Sequence, residues 1–409
     1  MADEVPALGV GQCRARIAAR DDSVAAWEHL ENNVEAKTST GPLAGVTVGI
    51  KDIIAVGGMP LRYGSPIFAN QIADTDAESV ARLRAAGAVI LGKTVTTEFA
   101  TYHPGKTRNP HNPAHTPGGS SSGSAAAVAD CQVDAALGTQ TAGSVIRPAS
   151  FCGVLGYKPS YGRYPTGGML IVSPELDHIG LFARNIETLA ALDAILGGGG
   201  DIGLPHTTEQ PVIGVCRTPW WDRADAAMQA AILDASADLA ACGFEVTSVP
   251  LPADFAPLVE IHDKVMARDA ADSLGAYADQ HPDKVSAALQ ALIDKGRAIS
   301  ADADRRNRDA FAAARTLFAA TVEGVDALLM PGAPGPAPYG LSATGDPLFN
   351  RMTTLLGVPA LGFPFAKTGE GLPLGLQLVA SFGSDRALLA LGARLIPAIS
   401  RLWPLQPPA

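Results

Sequence analysis

Between residues 46 and 91 the chain passes from strand-like to helix-like periodicity and back within very short turns, and this alternation most restricts its fold. Val46–Ile50 is an apolar, β-branched run that follows the turn Gly41-Pro42 and ends directly on Lys51-Asp52. Ala77–Ala86 has helical periodicity, opened by Asp74-Thr75-Asp76 as a capping region and stopped by Gly87. Ala88–Leu91 then reads as a short buried strand. Such alternation across short connections predicts an α/β layered architecture.

The alternation continues downstream. Ser124–Ala129 reads as a small-residue helix and Val133–Leu137 as a strand. Ile186–Leu196 is a helix followed by the break Gly197–Gly200, a subdomain boundary. Val212–Val215 and Phe244–Val249 are strands around the helix Ala224–Ala241. Residues 253–323 are Ala-rich, charged and helical, and Ala327–Met330 and Leu376–Val379 are strands. Residues 1–40 look mostly helical and polar, with a helix expected around Ser23–Glu31. There is no internal repeat.

Hydrophobic residues make up 47% of the 409 and charged residues only 18%, so the chain can bury a large core and is not a disordered chain. Its net charge of −10 repels phosphate backbones, which argues against nucleic acid as a main partner. No uninterrupted apolar run is long enough to span a bilayer, and residues 1–11 carry no basic segment leading into an apolar one. The five cysteines (Cys13, Cys131, Cys152, Cys216, Cys242) are scattered and odd in number, as expected of free thiols in a reducing cytoplasm.

Two motifs carry glycines at suggestive spacings. Gly87-Ala88-Val89-Ile90-Leu91-Gly92-Lys93-Thr94 fits the phosphate-loop pattern G-x-x-x-x-G-K-[ST]. A phosphate loop, however, needs a strand before its first glycine and exposed amides between the two. Here a helix precedes and an apolar strand intervenes, so Lys93 is expected to be a structural or surface charge. The second constellation is Gly118-Gly119-Ser120-Ser121-Ser122-Gly123-Ser124 followed by Gly143-Ser144. Glycines beside serine hydroxyls let backbone amides approach a ligand, and a hydroxyl nucleophile beside free amides is what acyl transfer requires. The same composition also fits two ordinary Gly/Ser loops.

A serine nucleophile needs a base. His103, His111, His115 and His178 are available, but none has a distinctive sequence partner. Lys51 is the other candidate. At the end of an apolar strand, burial would disfavour its charge and lower its pKa, although a strand-end ion pair with Asp52 would suit the position equally. The residues alone leave this choice open.

Several motifs in order resolve it. Gly49-Ile50-Lys51-Asp52, Thr116-Pro117-Gly118-Gly119-Ser120-Ser121-Ser122-Gly123-Ser124 and Gly138-Thr139-Gln140-Thr141-Ala142-Gly143-Ser144 together resemble the amidase-signature family. The resemblance continues through Arg147-Pro148-Ala149, Gly156-Tyr157-Lys158-Pro159 and Leu176-Asp177-His178-Ile179-Gly180. It returns in Gly357-Val358-Pro359-Ala360 and Gly371-Leu372-Pro373-Leu374-Gly375-Leu376-Gln377. It implies a single α/β domain over residues 1–409, a mixed, largely central β-sheet sandwiched by helices, with residues 253–323 as a helical insertion.

The resemblance also implies a Ser–cis-Ser–Lys triad. Ser144 lies 24 residues after Ser120, the family's spacing between nucleophile and bridging serine, and Lys51 falls on the family's lysine. Thr141, Ala142, Gly143 and Ser144 would supply the oxyanion hole, with Ala142 standing where the family usually has glycine. A positive φ at that position would strain alanine. Ser121 is expected to contact substrate, and His178 to be structural. The reaction would run through an acyl-enzyme and call on no metal or organic cofactor.

Arg147 sits three residues after the nucleophile, where many members place their arginine at two. That variant resembles malonamidase and carboxybiuret hydrolase, which act on small amides carrying a carboxylate, and an arginine fork suits a carboxylate. The expectation is therefore a cytoplasmic amidohydrolase of a small, carboxylate-bearing linear amide, as a homodimer or with a small accessory subunit, with no nucleic acid or membrane partner. The alternative is an amidotransferase component supplying ammonia within a tRNA-dependent complex.

Overall fold

A computed structural model of the chain describes residues 7–32, 34, 40–199, 202–208 and 210–408. Its strands, in chain order, are β1 (Trp27–Leu30), β2 (Thr47–Lys51), β3 (Val89–Thr94), β4 (Ala135–Gln140), β5 (Leu155–Lys158) and β6 (His178–Ala183). They continue with β7 (Val212–Val215), β8 (Glu245–Ser248), β9 (Ala327–Pro331), β10 (Ala360–Lys367) and β11 (Pro373–Val379). All eleven join one sheet in the order β1-β3-β2-β4-β6-β5-β10-β11-β9-β7-β8. The pairs β2–β3, β2–β4, β7–β8 and β7–β9 are parallel, and the strands between β4 and β9 run antiparallel to their neighbours. This is the mixed, helix-flanked α/β sheet expected.

Helices α1 (Val10–Val24), α2 (Glu78–Ala85), α3 (Ser122–Ala129), α4 (Ile146–Cys152), α5 (Ile186–Leu196) and α6 (Ala226–Ala241) cover the sheet, followed by α7 (Leu258–Gln280), α8 (Ala287–Arg297), α9 (Ala301–Thr321), α10 (Leu348–Leu356) and α11 (Asp385–Ile399). Helix α3 is built from Ala, Ser, Gly and Val and is buried on every side. Small side chains all round let it lie close to both the sheet and α4. The Ala-rich stretch expected to be helical over residues 253–323 forms three helices, α7 to α9. Among the described residues no helix is long and apolar enough to cross a membrane.

One expected element is corrected. The helix expected around Ser23–Glu31 ends at Val24, and Trp27–Leu30 forms the edge strand β1 against β3. Trp27 is buried with its indole N–H donating to Gln132 Oε1 at 2.6 Å, so tertiary packing overrides the local polar pattern. Of the break at Gly197–Gly200, Gly200 lies outside the described residues.

Candidate active site

Parallel pairing of β2 with β4 sets Ile50 against Leu137, so Lys51 and Thr139 leave the carboxyl ends of adjacent strands together. Functional groups gather at such strand ends because the loops that follow are free to carry them. Lys51 Nζ is 2.7 Å from Ser120 Oγ and 2.7 Å from Thr139 Oγ1, and the lysine is wholly buried. Burial drives its pKa well below the usual lysine range, and only the charge of Asp177 opposes this.

The Gly119–Ser120 peptide bond is cis. Gly118 before it has φ +83°, a left-handed conformation suited to glycine, and a Cβ there would come within 2.8 Å of Pro148 Cα. The serine loop therefore abuts the start of α4 directly. Two further links hold the two motifs together. Arg147 donates to Gly119 O at 2.6 Å, and Ser121 Oγ donates to Thr139 O and accepts from Thr139 N–H, both at 3.1 Å. Ser121, expected to meet substrate, thus has its hydroxyl taken up by the end of β4.

Ser144 lies in the turn between β4 and α4 and is 7% exposed. Gln140 shapes this turn, since its Oε1 accepts from Val145 N–H and Ile146 N–H at 2.8 and 3.1 Å. The amides of Ala142, Gly143 and Ser144 have no acceptor among the described residues. Among the described residues the non-glycine positions with positive φ are Ala25, Tyr63, Phe99, Ala100 and Cys131, so Ala142 occupies its position without left-handed strain. Gly143, by contrast, faces α10 so closely that a Cβ would stand 2.6 Å from Asn350 Oδ1.

The carboxylate near this turn is Asp177. It accepts from Thr141 Oγ1 at 2.5 Å and from the amides of Val172 and Ser173 at 2.6 and 3.0 Å. Burial raises its pKa to about 6 against these donors. Arg147 is 4% exposed and donates also to Gly345 O at 2.8 Å and Thr344 Oγ1 at 3.1 Å, leaving Nε buried without a partner among the described residues. Burial lowers its pKa to about 10, so the guanidinium stays charged at neutral pH, with Asp346, Arg351 and Tyr102 as its electrostatic neighbours.

The histidine candidates are placed elsewhere. His111, His115 and His178 donate to the carbonyls of Cys152, Ala337 and Leu176, and His103 is exposed. Lys93 forms a buried ion pair with Asp52 at 2.8 Å and donates to Pro60 O. The phosphate-loop match is therefore an internal strand, its lysine is structural rather than a surface charge, and Asp52 is spoken for by Lys93 instead of Lys51. Sequence reasoning missed Thr139, Gln140, His262 and Thr354 as contributors. Thr139 and Gln140 stood inside the quoted motif, whereas His262 and Thr354 sit in helices with no motif to mark them.

A buried lysine of lowered pKa between two hydroxyls, beside a serine turn whose amides have no acceptor among the described residues, is the equipment of acyl transfer. Known proteins point the same way. The family model described as Amidase matches residues 14–389, and the chain belongs to that family. The A-type chain of the glutamyl-tRNA(Gln) amidotransferase of Synechococcus sp. (strain RCC307) is 33% identical over 90% of this chain and 86% of its own length. A crystal structure of an amidase superposes with TM-score 0.86 at 32% identity over 95% of both chains. The corresponding amidotransferase chain of Thermotoga maritima superposes with TM-score 0.81 at 26% identity, over 94% of this chain and 90% of that one. The protein is an amide-hydrolysing enzyme of the amidase family. The Synechococcus relative carries the amidotransferase name rather than that of a malonamidase.

Proposed function

We propose that Ser144 is the nucleophile, Ser120 the bridging hydroxyl and Lys51 the base in hydrolysis of a small linear amide that carries a carboxylate. The observation that carries this reading is Lys51 Nζ, wholly buried 2.7 Å from Ser120 Oγ, where burial drives its pKa well below the usual lysine range. Neutral Lys51 takes the Ser120 proton as Ser120 takes that of Ser144, and Ser144 Oγ adds to the amide carbonyl. The oxygen of the tetrahedral intermediate is received by the amide row Thr141–Ser144. Proton return through Ser120 releases the amine or ammonia, and water then repeats the cycle on the acyl-enzyme. Ser121 serves by holding Thr139, which in turn holds Lys51.

The charged Arg147 beside this turn favours an anionic substrate. Malonamate-like and ureido- or biuret-like acids share the required chemistry. So does an amino acid with a side-chain amide, which suits the second reading: an amidotransferase component that passes ammonia on within a tRNA-dependent complex. The name of the 33% identical relative favours that reading. The net charge of −10 leaves tRNA contact to partner chains. Ammonia release from a panel of small carboxylated amides tests the reading, with Ser144→Ala as the blank. Turnover of glutamine that rises on adding the other components favours the amidotransferase. Turnover of a short-chain acid amide by the isolated chain favours a free-standing hydrolase.

A further inference from the structure

His262, on α7, is fully buried, and its Nε2 lies 2.8 Å from Thr141 O. A carbonyl oxygen only accepts, so Nε2 carries the proton and donates. Nδ1 is buried with no partner among the described residues. A second proton there would be buried unpaired, and burial accordingly pushes the imidazole pKa down to about 4. The ring is a neutral, fixed donor.

Its position matters because of peptide planarity. In a trans peptide the carbonyl and the following N–H point in opposite directions. The Thr141–Ala142 bond is not one of the two cis bonds, so holding Thr141 O aims Ala142 N–H away from α7. The next plane is held likewise, with Thr354 Oγ1 donating to Ala142 O at 2.7 Å, which orients Gly143 N–H. Two side chains from helices remote in sequence thus set consecutive amides of the turn that bears Ser144, and Gln140 closes the row by taking up the amides of Val145 and Ile146.

We propose that His262 is a positioning residue of the oxyanion hole, acting through the Thr141–Ala142 peptide and tying α7 into amide cleavage. The inference rests on Ser144 being the nucleophile. It assigns α7 a part in transition-state stabilisation in addition to packing.

The test compares kcat, KM and thermal unfolding of wild type, Ser144→Ala, His262→Ala and His262→Gln on a carboxylated amide that the wild type hydrolyses. A slackened oxyanion donor should cost kcat on the order of 10- to 100-fold with KM little changed. Gln, whose amide N–H can reach the same oxygen, should restore most of the rate. Should His262→Ala not fold, His262→Leu replaces it as the donor-free variant, and Leu slow with Gln fast supports the proposal. Thr354→Val, slow where Thr354→Ser is fast, supports the same geometry from the neighbouring plane. A folded His262→Ala or Leu with wild-type kcat, or a Gln variant no better than either, overturns the proposal. Inactive Ser144→Ala beside active wild type shows that the nucleophile assignment survives that failure. Ser144→Ala as active as wild type overturns both.

Discussion

Lys51 and Lys93 occupy the ends of neighbouring parallel strands, both are fully buried, and burial depresses the pKa of each. Their surroundings differ in one respect. Lys93 faces a carboxylate, Asp52, at 2.8 Å, and a carbonyl. Lys51 faces two hydroxyls and has only the more remote charge of Asp177 to hold its proton. A carboxylate partner favours the charged form of a buried lysine and braces the sheet, whereas neutral acceptors leave burial to favour the neutral form. The contrast teaches that burial alone does not make a base; the absence of a carboxylate partner does.

The largest expected effect separates the two directly. Lys51→Ala and Ser144→Ala should each lose at least about 10⁴-fold in kcat, since removing either member of a nucleophile–base unit disables the whole. Lys93→Met should leave catalysis of the folded fraction nearly intact but strand Asp52 in the interior. Urea unfolding should show a loss of about 3–5 kcal/mol, and Asp52→Asn added to it should recover part. A Lys93 variant that is stable yet inactive would dissolve the comparison.

A smaller effect sharpens the substrate. Arg147→Ala should lower kcat/KM for a carboxylated amide by roughly ten- to hundredfold more than for a neutral amide of similar size, the weight of a charge-assisted pair. Equal losses on both would make Arg147 a brace for Gly119 and Gly345 alone. The smallest effect is a shift in pH dependence. Because neutral Lys51 is the active form, kcat/KM should climb as pH rises through its lowered pKa and then level off. Thr139 Oγ1 accepts from the ammonium form and favours it, so Thr139→Val should move the acid limb to lower pH, read from a pH–rate profile.

Much of this site could be read in the sequence because its chemistry is local. The Gly118–Ser124 run leads from a loop into α3 and the Gly138–Ser144 run from β4 into the turn before α4, so each motif marks one junction of the chain. Strands such as Val46–Ile50 announced themselves by β-branched runs, and the helix Ile186–Leu196 by its period. The antiparallel middle was less legible. Leu155–Lys158 is four residues long and buried throughout, too short to show alternation. His262 could not be found at all, since its partner Thr141 is 121 residues away and a lone histidine in a helix has no local signature. The edge strand Trp27–Leu30 was misread for the same reason, as its pairing with β3 is non-local.

Lys51 and Asp52 are consecutive in the chain, yet one meets Ser120 and the other Lys93. Lys51 is the last residue of β2 and Asp52 opens the turn that follows, with Asp52 N–H donating to Thr94 O and Ile54 N–H donating to Lys51 O. The turn at the strand end therefore sends the base and the acid next to it to different partners. A slip of β2 by a single residue would turn Lys51 away from the bridging serine, with composition and neighbours unchanged. Pairing register, here anchored by Ile50 opposite Leu137 and Lys51 opposite Thr94, is thus an element of the active site as real as any side chain in it.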